Sequence, residues 1–188
     1  MSERNILELS HELLLEVTGA VQCVQESDLH ALVDELERAK KIFCVGAGRS
    51  GILLQAFCMR LNHLGFEAYM AGGLPCPPVS QGDLIVVASG SGQTRSVAAI
   101  VAQGRSAGAR VAMFTARNPQ SDAIQADVVI HISAPTQLVN HESQVSRQPM
   151  RTLFEQTLFV LCESVVWGLK AKNGIGEAEM AARHANLE

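Results

Sequence analysis

The sequence predicts an α/β fold with a doubly wound, five-stranded parallel sheet of strand order 2-1-3-4-5. Two observations carry this prediction: short apolar runs alternate with helical segments, and glycine-rich turns directly follow the first and third runs. With 188 residues, 47% of them apolar, the chain is long enough for a packed core. We therefore expect one domain over residues 1–188.

The order of the elements follows from hydrophobic periodicity. Apolar residues at helical spacing predict two helices within residues 1–40, at 5–20 and 28–39. The sheet core, residues 41–132, contains strand-like runs at 41–45, 66–70, 84–88, 110–115 and 128–132. Crossover helices are predicted at 50–64, 94–107 and 120–126. A broad apolar stripe then predicts one long helix over residues 149–171.

Composition and charge exclude several classes of function. The net charge is −4 and the basic residues are scattered, so the chain lacks the basic stripe typical of nucleic-acid binding. The five cysteines form no Cys-x-x-Cys pair, which favours a reduced, cytoplasmic protein in which Cys44 and Cys162 serve as small apolar residues. No uncharged run reaches the length of a membrane span, so we expect no membrane partner.

The third apolar run leads directly into a loop suited to phosphate, Ser-Gly-Ser-Gly-Gln-Thr at residues 89–94. Its glycines allow backbone N–H groups to converge, and Ser89, Ser91 and Thr94 add hydroxyl donors beside a helix N-terminus. Because the loop lacks the Gly-Lys pair of a nucleotide-binding P-loop, it predicts a single phosphomonoester. The alternative is that these residues only form a turn and cap a helix.

A second glycine cluster, Gly-Ala-Gly-Arg-Ser-Gly at residues 46–51, follows the first strand. It fits the dinucleotide pattern Gly-x-Gly-x-x-Gly, but the end of the second strand reads Met-Ala-Gly, where an acid would be expected to hold the ribose. The alternative interpretation is that Gly48, Arg49 and Ser50 face the same crevice as the serine loop. The first and third strands would then bind one ligand together.

Four segments together resemble a known family. The serine loop resembles that of the sugar isomerase (SIS) domain, whose fold is a five-stranded parallel sheet that binds phosphosugars. Within that family, segments 45–51, 59–65, 148–156 and 183–188 resemble the 6-phospho-3-hexuloisomerases. The resemblance implies interconversion of D-arabino-3-hexulose 6-phosphate and fructose 6-phosphate in a formaldehyde-fixing ribulose monophosphate route. It also implies a homotetramer without metal or organic cofactor.

The resemblance further suggests which residues act on the sugar. Glu155, near the start of the long helix, is the candidate base for proton transfer through an enediol. In the closing C-terminal segment, residues 177–188, His184 is a candidate for ring opening or protonation, and Arg183 for binding phosphate or sugar oxygens. This segment is expected to close over a site, which can belong to a neighbouring subunit. His63 is expected at the opposite edge of the sheet, in a structural or interface role.

Other interpretations stay open. Glu155 is alternatively a solvated helix residue paired with Arg151. The remaining histidines, at positions 11, 30, 131 and 141, have no metal-ligand spacing, so no metal site is predicted. Gln93 and Arg151 depart from the family pattern, which expects Glu and Gly there, so a different sugar phosphate such as arabinose 5-phosphate remains an alternative. The second alternative is a non-catalytic sensor that binds a phosphosugar.

Overall fold

The computed structural model describes residues 5–117, 124–134 and 146–187, with only the backbone of Arg151. Two helices come first, α1 (Ile6–Gln22) and α2 (Glu26–Arg38). The sheet region follows, with β1 (Ile42–Gly46), α3 (Gly48–His63), β2 (Ala68–Met70), β3 (Leu84–Ala88), α4 (Arg95–Ser106), β4 (Arg110–Thr115) and β5 (Val128–His131). The chain ends with a 3₁₀ turn (Pro149–Arg151), α5 (Leu153–Lys172) and α6 (Glu177–Ala182).

The five described strands form one parallel sheet of order β2-β1-β3-β4-β5, which confirms the predicted fold class. The reversal of strand order falls between β1 and β3, and their pairing extends to the last residue of each, Gly46 opposite Ala88. Neighbouring strands in a sheet lie about 4.8 Å apart. The two glycine-rich loops therefore leave the sheet side by side.

Both faces of the sheet are buried, as expected for a doubly wound fold. Alternate strand residues such as Cys44, Val86 and Phe114 pack against α2, α3 and α5 in the larger core. The residues between them, such as Val87 and Met113, pack against α4 on the other face. Helix α1 packs on α5, outside the first layer of helices. This arrangement brings the N-terminal part of α5 into position beside the sheet.

Most boundaries lie within one or two residues of the predicted ones, and three of the differences have a clear structural basis. Strand β2 begins at Ala68 because Gly65, with a φ of 95°, closes α3 and the Phe66 N–H donates to the Leu61 carbonyl. Of the helix predicted at 120–126, residues 120–123 lie outside the described ranges and 124–126 are not helical. The long helix begins at Leu153 instead of 149, because Met150 has a left-handed φ of 54°.

Two further observations concern the class of protein. Within the described ranges, no helix combines the length and apolar character needed to cross a membrane. Cys44 and Cys162 are completely buried in the larger core, and burial raises the pKa of the Cys162 thiol. Both residues therefore fill the apolar positions that the sequence assigned to them.

Candidate active site

The serine loop lies between the end of β3 and the start of α4. Ser89 is buried, its N–H donates to the Phe114 carbonyl of β4, and its hydroxyl lies 3.0 Å from the Thr94 hydroxyl. Thr94 directly precedes α4, yet its side chain makes no capping hydrogen bond to the helix. The interpretation of Thr94 as a simple helix cap is therefore wrong, because its hydroxyl pairs with Ser89 inside the loop.

The loop is a narrow turn at the N-terminus of a 12-residue helix. Gly92 has a φ of 62°, and its N–H donates to the Ser89 carbonyl at 3.0 Å. The Gln93 N–H donates to the half-buried Ser91 hydroxyl at 3.3 Å. The first N–H groups of α4 have no partner inside the helix and carry its positive end. Hydroxyls and N–H groups thus lie together where an anion binds most favourably.

The second loop joins β1 to α3, and its glycines allow a close approach of the two backbones. A Cβ atom added to Gly51 would lie 2.6 Å from the Gly46 carbonyl oxygen, and one added to Gly46 would lie 2.9 Å from the Gly51 nitrogen. Gly48 has a φ of 57°, which favours glycine for a second reason. Strand-to-helix packing alone therefore accounts for the Gly-x-Gly-x-x-Gly pattern.

Two adjacent residues at the start of α5 connect both loops. The Phe154 ring packs against Gly90 so closely that a Cβ there would lie 3.2 Å from a ring carbon. Glu155 turns to the other loop, where its Oε2 accepts a hydrogen bond from Arg49 Nε at 2.5 Å. The Glu155 side chain is 20% exposed and that of Arg49 is 65% exposed. The carboxylate is thus mostly sheltered beside the first turn of α3, and its cation remains accessible.

A cavity of about 470 Å³ adjoins this ion pair, between α1, α3 and α5. Ser10, Arg49, Glu155 and Gln156 form its polar part, and apolar residues of α1, α3 and α5 such as Leu13, Leu53 and Phe159 form the rest. Within the described ranges, no group of three or more His, Cys, Asp or Glu side chains is arranged to hold a metal ion. This cavity therefore offers one carboxylate, one guanidinium, one amide and one hydroxyl, and the residues of the serine loop are not part of its lining.

Arg183 and His184 lie at the other end of α3, in contact with His63. The Arg183 guanidinium donates to the His63 carbonyl at 3.2 Å, and the His184 ring stacks on the His63 ring with centroids 5.1 Å apart. Burial, followed by the nearby His184 and Arg60, lowers the pKa of His63. Because α3 has 16 residues, about 24 Å of helix separates these contacts from the Arg49 loop. Arg183 and His184 therefore lie far from the carboxylate of their own chain.

Four further residues were predicted or lie close to these elements in the sequence. Ser50 is buried in the first turn of α3, beside Arg49, and its part in ligand binding stays a prediction. His141 and the side chain of Arg151 fall outside the description, so the proposed Arg151–Glu155 pair is not tested. Sequence reasoning missed Gln148, a buried amide just before the 3₁₀ turn. In the sequence, the only feature that drew attention to Gln148 was its place in the segment 148–156, which resembles the isomerase family.

One family model and two known isomerases are similar to this chain in sequence. A family model described as the SIS domain matches residues 35–160, about two thirds of the chain. A 3-hexulose-6-phosphate isomerase of Bacillus subtilis is 36% identical over 94% of this chain and 96% of its own. One from Mycobacterium gastri is 41% identical over 92% of this chain and 86% of its own.

A solved structure gives the same result. It is the crystal structure of a hypothetical protein from Methanococcus jannaschii. For that protein, the structure was used to infer the molecular function of a 3-hexulose-6-phosphate isomerase. Its sequence is 28% identical to this chain, and the TM-score is 0.79 over 95% of this chain and 96% of that protein. The similarity therefore covers sheet, helices and loops together.

Proposed function

The chain belongs to the SIS domain family, and on this premise we propose that it interconverts D-arabino-3-hexulose 6-phosphate and D-fructose 6-phosphate. The observation that carries the proposal is the position of Glu155, which pairs with Arg49 of one strand-end loop while Phe154 packs on the other. A carboxylate held beside a phosphate-binding loop is what an isomerase of phosphosugars requires. Such isomerisation takes place within phosphosugar metabolism, here the ribulose monophosphate route.

The serine loop is proposed to hold the phosphate. Ser89, Ser91 and Thr94 supply neutral hydroxyl donors, and the N-terminus of α4 supplies N–H groups and the positive end of a helix dipole. Gly48, Arg49 and Ser50 are proposed to face the same ligand from the neighbouring loop. The absence of lysine between residues 89 and 94 fits a monoester whose charge is met mainly by oriented N–H and O–H groups.

Glu155 is proposed to carry the proton between the two reacting carbons. In the forward direction the carboxylate removes the proton from C2 of the hexulose, and the C–H electrons form a C2–C3 double bond while the negative charge moves to O3. The hydroxyl proton of O2 then passes to O3 by exchange with solvent, and Glu155 returns the proton that it took from C2 to C3. The ketone now lies at C2, so the product is fructose 6-phosphate, and no atom is gained or lost.

Arg49 is proposed to stabilise the enediolate. Its guanidinium is mostly exposed and already within hydrogen-bond distance of the carboxylate, so it can also reach an oxygen of a sugar bound against Glu155. A cation placed where negative charge develops stabilises the transition state more than the ground state. Arg49 therefore has an electrostatic role beside the proton transfer of Glu155.

His184 and Arg183 are proposed to serve the site of a neighbouring subunit, because about 24 Å of helix separates them from their own. Exposed apolar side chains on α1, among them Ile6, Leu7, Leu14 and Leu15, support self-association. We propose a homotetramer in the cytoplasm. To test for shared sites, the inactive variants Glu155→Gln and His184→Asn are mixed and their subunits are allowed to exchange. Shared sites predict that activity is restored. If activity is not restored, each site is formed by one chain.

Deuterium exchange tests the reaction itself. Fructose 6-phosphate is incubated with the protein in deuterated water, and exchange at C1 and C3 is followed separately by NMR. The proposal predicts exchange at C3, and a fall of about 10²-fold or more in Glu155→Gln. Glu163→Gln, in the same helix two turns further on, is the matched control and keeps full exchange.

Each alternative has its own result. Exchange at C1 alone would identify an aldose–ketose isomerase acting on a different pair of sugars. Binding of fructose 6-phosphate without exchange would favour a sensor. Binding of a dinucleotide but of no sugar phosphate would restore the interpretation of residues 46–51 as a cofactor loop.

A further inference from the structure

Two contacts with His63 attach the closing C-terminal segment to the end of α3. His63 is the last residue of this helix and is only 5% exposed, and the ring of the exposed His184 stacks on its ring at an angle of 29°. The Arg183 guanidinium donates to the His63 carbonyl and lies so close to Gly65 that a Cβ added there would be 3.2 Å from it. One face of the His184 ring is therefore covered by a ring that is itself fixed by burial.

The hydrogen bond of the His184 ring determines which of its nitrogens carries the proton. Its Nδ1 lies 2.9 Å from the carbonyl oxygen of Ala185. Because a carbonyl oxygen only accepts, Nδ1 is the donor, and in the neutral ring Nε2 is then unprotonated. Among the described residues, none forms a hydrogen bond with this Nε2. The exposed His184 therefore offers an unused acceptor to a group outside its own chain.

The part of His63 that is specific to its side chain is the ring face under His184. The carbonyl that accepts from Arg183 belongs to the backbone, so any residue at position 63 would supply it. An aliphatic side chain would fill the buried position, but only a flat ring offers a face for stacking. Burial, followed by the nearby His184 and Arg60, lowers the pKa of His63, so the supporting ring is uncharged at neutral pH.

We propose that His63 is a positioning residue, whose ring holds the His184 ring so that Nε2 accepts from a sugar hydroxyl in the site of a neighbouring subunit. This inference rests on the proposed function, in which His184 serves that site. A hydroxyl is the matching group because it donates to an unprotonated nitrogen, whereas a phosphate dianion has no proton to donate. A ring that is fixed before the sugar binds loses little freedom on binding. His63 itself does not touch the sugar.

Two variants separate the stacked ring from the rest of the residue. His63→Phe keeps a flat ring and loses both nitrogens, whereas His63→Leu fills the position and loses the ring. Exchange at C3 of fructose 6-phosphate and the melting temperature are measured for both. Nitrogen NMR of the wild type at about pH 8.5, where the ring is neutral, shows which nitrogen of His184 carries the proton. His30→Leu, at an exposed position of α2, is the matched control and changes neither exchange nor melting.

His63→Leu should lower exchange at C3 about tenfold or more, because a small displacement of a reacting group is costly. Its melting temperature should change by less than about 4 °C, since leucine fills the same space. His63→Phe should recover most of the lost exchange, and wild-type His184 should carry its proton on Nδ1.

Subunit exchange shows whether His63 acts through His184 of its own chain. Mixing His63→Leu with Glu155→Gln should raise exchange severalfold, because the intact pair of histidines in one chain then serves the intact Glu155 of the other. Mixing His63→Leu with His184→Asn should give no such rise, because neither chain then has the intact pair.

Other results overturn the inference. Equal losses in His63→Phe and His63→Leu with lowered melting temperatures would make His63 a structural residue, and a wild-type proton on Nε2 would remove the acceptor. Normal wild-type exchange with no effect of His63→Leu would overturn this inference alone. No exchange at C3 in the wild type would overturn the proposed function, and this inference with it.

Discussion

Replacing Gly51 by alanine tests whether the site depends on the close approach of β1 and α3. The added Cβ would lie 2.6 Å from the Gly46 carbonyl oxygen, whereas ordinary van der Waals contact begins at 3.4 Å. Both groups are backbone, so no flexible side chain can move aside. The first turn of α3, which carries Arg49 and Ser50, must therefore shift by about 0.8 Å away from the strand.

The magnitude follows from two opposing effects. Overpacking between fixed groups costs about 3 kcal/mol at the upper end of the usual range. Alanine in place of glycine in a helix returns about 1 kcal/mol, so the net loss is about 2 kcal/mol. For a chain of this size that loss lowers the melting temperature by roughly 4–8 °C. Displacement of Arg49 and Ser50 by close to 1 Å should lower kcat/KM by about 10²-fold.

Calorimetric melting and the C3 exchange assay measure both effects. Gly168→Ala in α5 is the control, because nothing lies within 4 Å of its added Cβ. It should raise the melting temperature by about 2–4 °C and leave exchange unchanged. The reasoning is refuted if Gly51→Ala melts at or above the wild-type temperature with normal exchange, since the glycines would then not set the strand-to-helix distance.

Three further predictions concern single side chains. Burial lowers the pKa of His63, so the neutral ring stabilises the folded state. This stabilisation is complete above about pH 6.5, the pKa of His63 in the unfolded chain, and is lost as the pH falls from there towards the lowered pKa of the folded state. The urea midpoint of the wild type should therefore fall more between pH 7.5 and pH 5 than that of His63→Gln, and equal falls would contradict this. Ser89→Ala removes a buried hydroxyl bonded to Thr94 and should cost about 1 kcal/mol of unfolding free energy and weaken inorganic phosphate binding in calorimetry. The exposed control Ser106→Ala should change neither, and undiminished phosphate binding in Ser89→Ala would remove Ser89 from the proposed site. Arg49→Gln should change the unfolding free energy by less than about 1 kcal/mol, because Arg49 is mostly exposed, while kcat/KM falls at least tenfold; a large loss of stability would make the pair structural.

The parts of the fold that were predicted correctly are those determined by local pattern. The runs at 84–88 and 110–115 are strands with those same limits, because both faces of these central strands are buried and all their residues are apolar except Arg110 and Thr115 at the two ends of the second run. The start of α5 was placed too early for a reason that periodicity does not reveal. Pro149 is compatible with a first helical turn, but the left-handed Met150 separates this turn from the helix.

The site was predictable as far as strand order and loop composition reach. Both loops were assigned to one crevice, and Gly46 opposite Ala88 confirms that they leave adjacent strands. The pairing of Arg49 with Glu155 was not foreseen, because the two residues are 106 positions apart and their contact depends on how α5 crosses the sheet. Sequence spacing suggested the local partner Arg151 instead. Long-range pairs of this kind follow from packing, which no local pattern encodes.

The same packing explains why one glycine pattern occurs in sites with different ligands. In this chain Gly46 and Gly51 are needed because a strand end and a helix start touch, and that contact is independent of what binds beyond it. The ligand is selected by the side chains that the contact leaves exposed. Arg49 on the first turn of α3 meets a carboxylate supplied by α5, whereas a dinucleotide site would need an acid at the end of β2, where Met70 stands. In the proposed function, α5 is therefore the element that converts a general strand-end crevice into a site for proton transfer. A substitution that moved only the start of α5 would abolish exchange at C3 while phosphate still bound at the serine loop.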